Sequence, residues 1–150
     1  MSQNKVSIKN KRASFEYEFI EKYTAGLKLY GTEIKSIRNG KASIIDGHCA
    51  FEGDELYVYN IFIDEYDKGG FINHLPKRKR KLLLHKRELD KLQKKLNDQG
   101  MTIVPTLMFI SDSGYAKLNI ALARGKKLYD KRQDLKEKDD KRRMDRAMKV

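Results

Sequence analysis

The chain of 150 residues has one cysteine, Cys49, two prolines and no tryptophan. A lone thiol cannot close an internal disulfide, which excludes a stapled secreted scaffold. Cys49 therefore reads as a small buried apolar residue. The histidines His48, His74 and His85 lie far apart and share no ligand spacing. With a single Cys they make no zinc site, and nothing else in the chain calls for a metal or cofactor. No nucleophile elbow, Walker loop or dinucleotide fingerprint is present. No stretch approaches the roughly 20 apolar residues that cross a bilayer. The N-terminus, Met1 to Ala13, lacks the apolar run of a signal peptide. The expected location is the cytoplasm, with no membrane partner.

Negative charge is also in short supply. Lys and Arg number 33 against 21 Asp and Glu, a formal net charge of +12. Such a surplus repels itself and favours polyanions. Phosphate backbones are the commonest such partner, bound with a salt dependence set by counterion release. The densest cluster is Lys77-Arg-Lys-Arg-Lys81, continued by His85, Lys86 and Arg87. Five adjacent cations cost stability unless a polyanion neutralises them. Arg78 and Arg80 suit bidentate phosphate contact, and Lys81 suits a point contact. Composition alone also allows a localisation signal or a solvated patch.

Hydrophobic periodicity gives the architecture. Phe15, Tyr17 and Phe19 alternate with polar residues, as do Leu27 and Leu29 within Ala25–Gly31, so two half-buried strands are expected. Thr32 is placed to cap a short helix, Glu33 to Arg38, that Asn39-Gly40 stops. Further strands are expected at Ala42–Ile45, His48–Phe51 and Leu56–Ile63, the last two joined by a turn at Glu52–Glu55. Asp64 to Lys77 reads as an irregular loop. Leu82, Leu89, Leu92 and Leu96 mark a helix over Leu82–Asp98, ended by Gly100. Strands Thr102–Ser111 and Tyr115–Arg124 close the domain, with Pro105 marking an edge or a bulge. The fold class is mainly β: a small OB-like antiparallel barrel with flanking helices, although periodicity alone also fits a sandwich.

Residues 1–125 make this barrel, and 126–150 a basic tail. The tail has eleven Lys and Arg against six acids, with few apolar residues. A helix polar nearly all round has no surface to dock, so the tail is expected to be disordered alone and to fold on a charged partner. Tyr30, Phe71 and Tyr129, in predicted turns or loops, are the candidate base-stacking aromatics.

Four ordered blocks then point to a family. They are Asn10–Ala13 with Ala25–Lys41, His74–Leu89, Gly100–Pro105 and Lys117–Arg132. Together they resemble the SsrA-binding proteins, also called small protein B, of bacteria. The resemblance implies an OB-like barrel that binds the tRNA-like domain of transfer-messenger RNA (tmRNA). It implies delivery of that RNA to stalled ribosomes for trans-translation, with the body standing in for the anticodon arm and the tail entering the vacant mRNA channel. The partners implied are tmRNA, the ribosome and elongation factor Tu, with the protein a monomer and an adaptor, not an enzyme.

The resemblance places RNA contacts at Leu83 and Lys117, Leu83 acting mainly by holding the fold. Glu33, Lys35 and Arg38 lie beside the same surface. Lys11, Arg12, His74, Arg78, Arg80, Lys81, Lys126 and Lys127 complete the candidate RNA contacts. Asp130-Lys131-Arg132 match the tail motif needed for tagging, and Lys136, Lys138, Arg142 and Arg143 are the further ribosome contacts. One departure stands out: the family usually has Glu before Ala25-Gly26, where this chain has Thr24. Two rival readings are an RNA-processing enzyme with His85 or His74 as base, and a general single-strand binder.

Overall fold

The computed structural model describes residues 6–70, 72–98 and 100–126. The expectations for Phe71, Lys127, Tyr129, Asp130, Lys131, Arg132, Lys136, Lys138, Arg142 and Arg143, and that of a disordered tail, lie outside the described residues.

The elements run β1 (Ser7–Lys9), α1 (Lys11–Glu16), β2 (Tyr17–Leu27), α2 (Gly31–Arg38), β3 (Ala42–Ser43), β4 (His48–Glu52), β5 (Glu55–Tyr59), β6 (Phe62–Ile63), β7 (Arg80–Leu83), α3 (Lys86–Lys95), β8 (Met101–Ile110) and β9 (Ala116–Gly125). The main sheet is antiparallel, in the order β1-β8-β4-β5-β7-β2-β9, and β9 pairs back onto β8. Six strands therefore close into an OB-like barrel, which removes their free edges. β3 and β6 form a separate small pair.

Alternation fills the barrel. Leu56 and Val58 of β5, Leu82 of β7, Ile103 and Met108 of β8, and Leu118, Ile120 and Leu122 of β9 all point inward and are buried. Ile37 of α2 and Leu92 of α3 join the same core. Full burial of each such aliphatic side chain contributes about 1.5–3 kcal/mol. α3 is also tied to β2, where Glu21 accepts from Lys95 and lies 3.8 Å from Lys91.

Pro105 sits at a bulge. The register of β8 against β9 shifts between Pro105 and Leu107. At the same place the other edge of β8 changes partner, from Cys49 of β4, opposite Ile103, to Lys9 of β1, opposite Leu107. A residue without an N–H fits such a changeover. Asn10 secures it: its amide donates to the Pro105 carbonyl at 2.9 Å, while its side-chain oxygen caps α1 by accepting from Ala13 N–H at 3.1 Å.

Five expected elements differ. Lys11–Glu16 is a helix, and the two expected strands at Ser14–Phe19 and Ala25–Gly31 are replaced by the single strand β2, bulged between Phe19 and Glu21. Leu56–Ile63 is split into β5 and β6 around Asn60, whose φ is 60°. The helix expected from Leu82 begins at Lys86, because Arg80–Leu83 is strand β7, paired with both β5 and β2. The helix α2 starts two residues earlier than expected, with Tyr30 rather than Thr32 at its cap position.

Candidate nucleic-acid interface

The outward residues of three neighbouring strands build one face. On β7 these are Lys81 and Leu83, on β2 Thr24 and Gly26, and on β9 Lys117 and Asn119. Gly26 lies opposite Leu83 on one side and opposite Lys117 on the other. A Cβ on Gly26 would come within 3.3 Å of the Leu83 Cβ. The glycine therefore keeps the floor low between a leucine and a lysine, and a cleft of about 490 Å³ opens there, lined by Thr24, Gly26, Leu83, Leu84, His85, Glu88 and Lys117.

Leu83 corrects its expected role. It is 49% exposed, whereas its neighbour Leu82, at 1%, holds the core. The alternation of β7 turns Leu83 into the cleft, where an exposed apolar side chain can meet a base or ribose edge. Thr24 faces outward too, and its hydroxyl donates to Asn119 Oδ1 at 2.8 Å. An uncharged cross-strand pair thus occupies this place on the face. Lys117 makes no salt bridge among the described residues, so its charge is available to a phosphate.

The face continues across β5 and β4. Tyr57, Tyr59 and His48 point outward, with the His48 and Tyr59 rings stacked 5.4 Å apart. Lys79 lies 4.8 Å over the Tyr57 ring and pairs with Glu52 at 2.5 Å, and Lys81 pairs with Glu55 at 2.8 Å. The Glu52 carboxyl is held below the usual carboxylate range, first by its bond from Lys79 and then by that from Tyr59. Exposed pairs of this kind contribute little, so these lysines can exchange carboxylate for phosphate at small cost.

Behind the face lies a buried ion cluster, and three expected RNA contacts are consumed in it or beside it. Glu33 and Arg80 have no exposed surface, and His74 has 4%. Arg80 Nε donates to Glu33 Oε2 at 2.5 Å, and its terminal nitrogens donate to the carbonyls of Ile61, Leu75 and Pro76. Buried charge must be paired and hydrogen-bonded, and here it is. Burial pushes the Glu33 carboxyl up; the bond from Arg78, the Tyr30 N–H and the Arg80 charge outweigh it and hold Glu33 low. His74 is held between the Thr32 hydroxyl and the Ile63 carbonyl, both at 2.9 Å. Direct RNA contact by Glu33, Arg80 or His74 is therefore replaced by support of the fold.

Arg78 is intermediate. It donates to Glu33 Oε1 and lies 4.2 Å over the Tyr30 ring, with 24% of its side chain exposed. Lys35 and Arg38 are exposed on α2, Arg38 reaching the Gly114 carbonyl at 3.4 Å. Lys11 and Arg12 are exposed at the opposite end of the barrel, Arg12 facing Asp46 at 3.5 Å. Lys126 follows β9 at that same end, its N–H bonded to the Glu16 carbonyl. The fold thus brings Lys81, Leu83 and Lys117 onto one face, places Lys35 and Arg38 on α2 and Arg78 over Tyr30, and leaves Lys11, Arg12 and Lys126 apart. Gly26 was absent from the sequence-based candidates, and His85, expected only as part of the basic cluster or as a base, lines the cleft. For Gly26 the signal was a glycine inside a strand pattern, which marks close approach.

Among the described residues no group of His, Cys, Asp and Glu is placed to hold a metal ion. No helix there is long and apolar enough to cross a membrane.

A closed OB-like barrel with one face of lysines, aromatics and a glycine-floored cleft defines the class: a small barrel protein with a surface matched to polyanions. Known proteins narrow this. The chain matches the family model described as SmpB protein over residues 7–150. It is 58% identical over 149 residues to the SsrA-binding protein of Phocaeicola vulgatus, covering 99% of both chains. It is 53% identical over 147 residues to that of Christiangramia forsetii, covering 98% of this chain and 94% of the relative. A solved structure described as "tmRNA-SmpB: a journey to the center of the bacterial ribosome" is similar with a TM-score of 0.69 and 46% identity, over 82% of this chain and 86% of that one. The chain belongs to the SmpB family.

Proposed function

We propose that this chain binds the tRNA-like domain of tmRNA through the β7-β2-β9 face and delivers it to stalled ribosomes for trans-translation. The observation that carries this reading is the cleft in which Leu83 and Lys117 flank Gly26. It sets an apolar contact beside a free ammonium on a rigid sheet, as recognition of folded RNA by shape and phosphate position requires. Rigid strands hold such contacts better than loops do. The family relationship supports the identity of the RNA, since the curated relatives are named for SsrA binding.

The body stands in for the anticodon arm, and residues 126–150 enter the vacant mRNA channel. Five of the net twelve positive charges lie in that segment. An mRNA already in the channel would exclude it sterically and electrostatically, which makes entry a test of vacancy. The protein acts as a monomeric adaptor in the cytoplasm and travels with elongation factor Tu, while the bond chemistry belongs to the ribosome.

The test is binding of the full chain to the isolated tRNA-like domain across a salt series. Preference for that domain over an unstructured oligonucleotide of equal length supports the reading; equal affinity for both would favour a general single-strand binder. Cleavage or modification of the RNA on incubation would favour an enzyme. Alanine at Asp130, Lys131 and Arg132 is expected to abolish tagging and spare tmRNA binding, and equal loss of both would refute the division between body and tail.

A further inference from the structure

We propose that the hollow between the start of α2 and the loop before β7 is a stacking site for one unpaired nucleobase of the bound tmRNA, with Tyr30 as its platform. The proposal rests on the tmRNA-binding reading above. The hollow encloses about 390 Å³, and Tyr30, Gly31, Thr32, Lys35, Ile72 and His74 line it. That is ample for a base with its ribose.

Tyr30 is 61% exposed and Ile72 88% exposed, so neither serves the core. One side of the Tyr30 ring is covered by the Arg78 guanidinium at 4.2 Å. That guanidinium is itself fixed, its Nε and Nη2 donating to Glu33 Oε1 at 3.2 and 2.5 Å. The Tyr30 N–H donates to the same oxygen at 2.8 Å. A buried carboxylate therefore clamps both the backbone and the covered side of the ring. Tyr30 lines the hollow and Arg78 does not, so the base is assigned to the ring face opposite the guanidinium. A platform ordered in advance loses little entropy on binding.

The rest of the lining suits a heterocycle. A Cβ added at Gly31 would meet nothing within 4 Å, so the backbone leaves room. The His74 Nε2–H donates to the Ile63 carbonyl, which makes Nδ1 the acceptor of the Thr32 hydroxyl proton. The Thr32 oxygen keeps acceptor capacity for an exocyclic amine. Lys35 is the one charged side chain in the lining, a point charge for the adjoining phosphate. Tyr30 follows Gly26 by four residues on the same stretch of chain, which joins the hollow to the cleft. One RNA can therefore span both.

The experiment measures binding of full-length tmRNA to the full chain with Tyr30→Ala, Tyr30→Phe and Lys117→Ala, together with crosslinking of the unaltered chain to tmRNA carrying 4-thiouridine. Loss of one base–aromatic stack weakens binding about 5- to 150-fold. Tyr30→Ala is expected to do so without changing the salt slope, because stacking neutralises no phosphate. Tyr30→Phe is expected to restore affinity, and an adduct is expected on residues 29–35. Tyr30→Ala binding as tightly as the unaltered chain, or adducts near Lys117 with none on residues 29–35, would overturn the stacking site and leave the tmRNA reading standing. Failure of the unaltered chain to bind tmRNA would overturn both.

Discussion

Arg80→Met separates support of the fold from contact with RNA. Methionine keeps the apolar stem and removes the guanidinium. It leaves Glu33 Oε2 and the carbonyls of Ile61, Leu75 and Pro76 without their donor, in a place where Arg80 and Glu33 have no exposed surface. Removing one partner of a buried ion pair costs about 3–5 kcal/mol, because the remaining charge stays desolvated. Against a typical total of about 5–15 kcal/mol, the domain stays folded at low temperature. At about 4 °C per kcal/mol for a domain of this size, the melting temperature falls by about 12–20 °C. Urea and thermal unfolding followed by circular dichroism measure the loss. Replacing Glu33 with leucine in the same chain removes the orphaned carboxylate, so the pair together costs about 2 kcal/mol less than the sum of the single changes. Well below its melting temperature, Arg80→Met is expected to bind tmRNA with an unchanged salt slope, because Arg80 neutralises no phosphate, whereas loss of a phosphate contact lowers the slope by about 0.7–0.9. A stability loss under about 1 kcal/mol, or a changed slope in the folded variant, would refute the structural role.

Glu33 also sets an acid limit: its folded carboxyl sits below the usual value despite burial, owing to Arg78, Tyr30 N–H and Arg80. Its stabilisation is therefore complete above the unfolded value of about 4.3 and is lost as pH falls through the lower folded value, so the urea midpoint should drop below pH 4 and drop less in Glu33→Gln. Lys117→Ala should weaken tmRNA binding, reduce the salt slope by about 0.7–0.9 and leave stability within about 0.5 kcal/mol, as checked by a salt series and a melt. Gly47→Ala should cost about 1–3 kcal/mol in urea unfolding, because its Cβ would meet Ile61 Cγ2 at 2.7 Å and Pro105 Cγ at 2.8 Å. Gly26→Val should raise the cleft floor against Leu83 and weaken tmRNA binding more than it lowers the melting temperature, which paired binding and thermal measurements test.

Much of the barrel was legible because its strands alternate cleanly. The Glu52–Glu55 hairpin, β8, β9, the end of α2 and the irregular loop after Asp64 fall where pattern and turn chemistry put them, and Pro105 marks a true bulge. The failures share a cause: tertiary context overrode a local pattern. Phe15 and Tyr17 alternate as a strand would, yet Asn10, anchored to Pro105 of the adjoining strand, caps a helix there. Asn60 at positive φ breaks what composition reads as one strand. β7 was hidden because its inward positions are Arg80 and Leu82, and a charged side chain pointing into a core defeats any reading by hydrophobicity. The site followed the same division. Lys81 was expected by charge and Lys117 from the family resemblance, and both lie on the face; Glu33, Arg80 and His74 were assigned to RNA because sequence cannot show which charges a fold consumes internally.

The run Lys77–Lys81 shows why that distinction governs function. Read as composition, it is five equal cations awaiting a polyanion. Strand geometry divides them: Arg80 turns inward, Lys79 and Lys81 turn outward to exposed carboxylates, and Arg78 lies at the edge over Tyr30. The inward arginine fixes Glu33, and the second oxygen of Glu33 fixes Arg78. One buried charge thus orders an exposed one, and a bidentate guanidinium can do this where a lysine ammonium cannot. Exchange of both arginines for lysine would preserve every charge in the run while loosening this geometry. Net charge alone draws RNA to a protein; the proposed tmRNA reading assigns discrimination between folded RNAs to the fixed placement of these side chains.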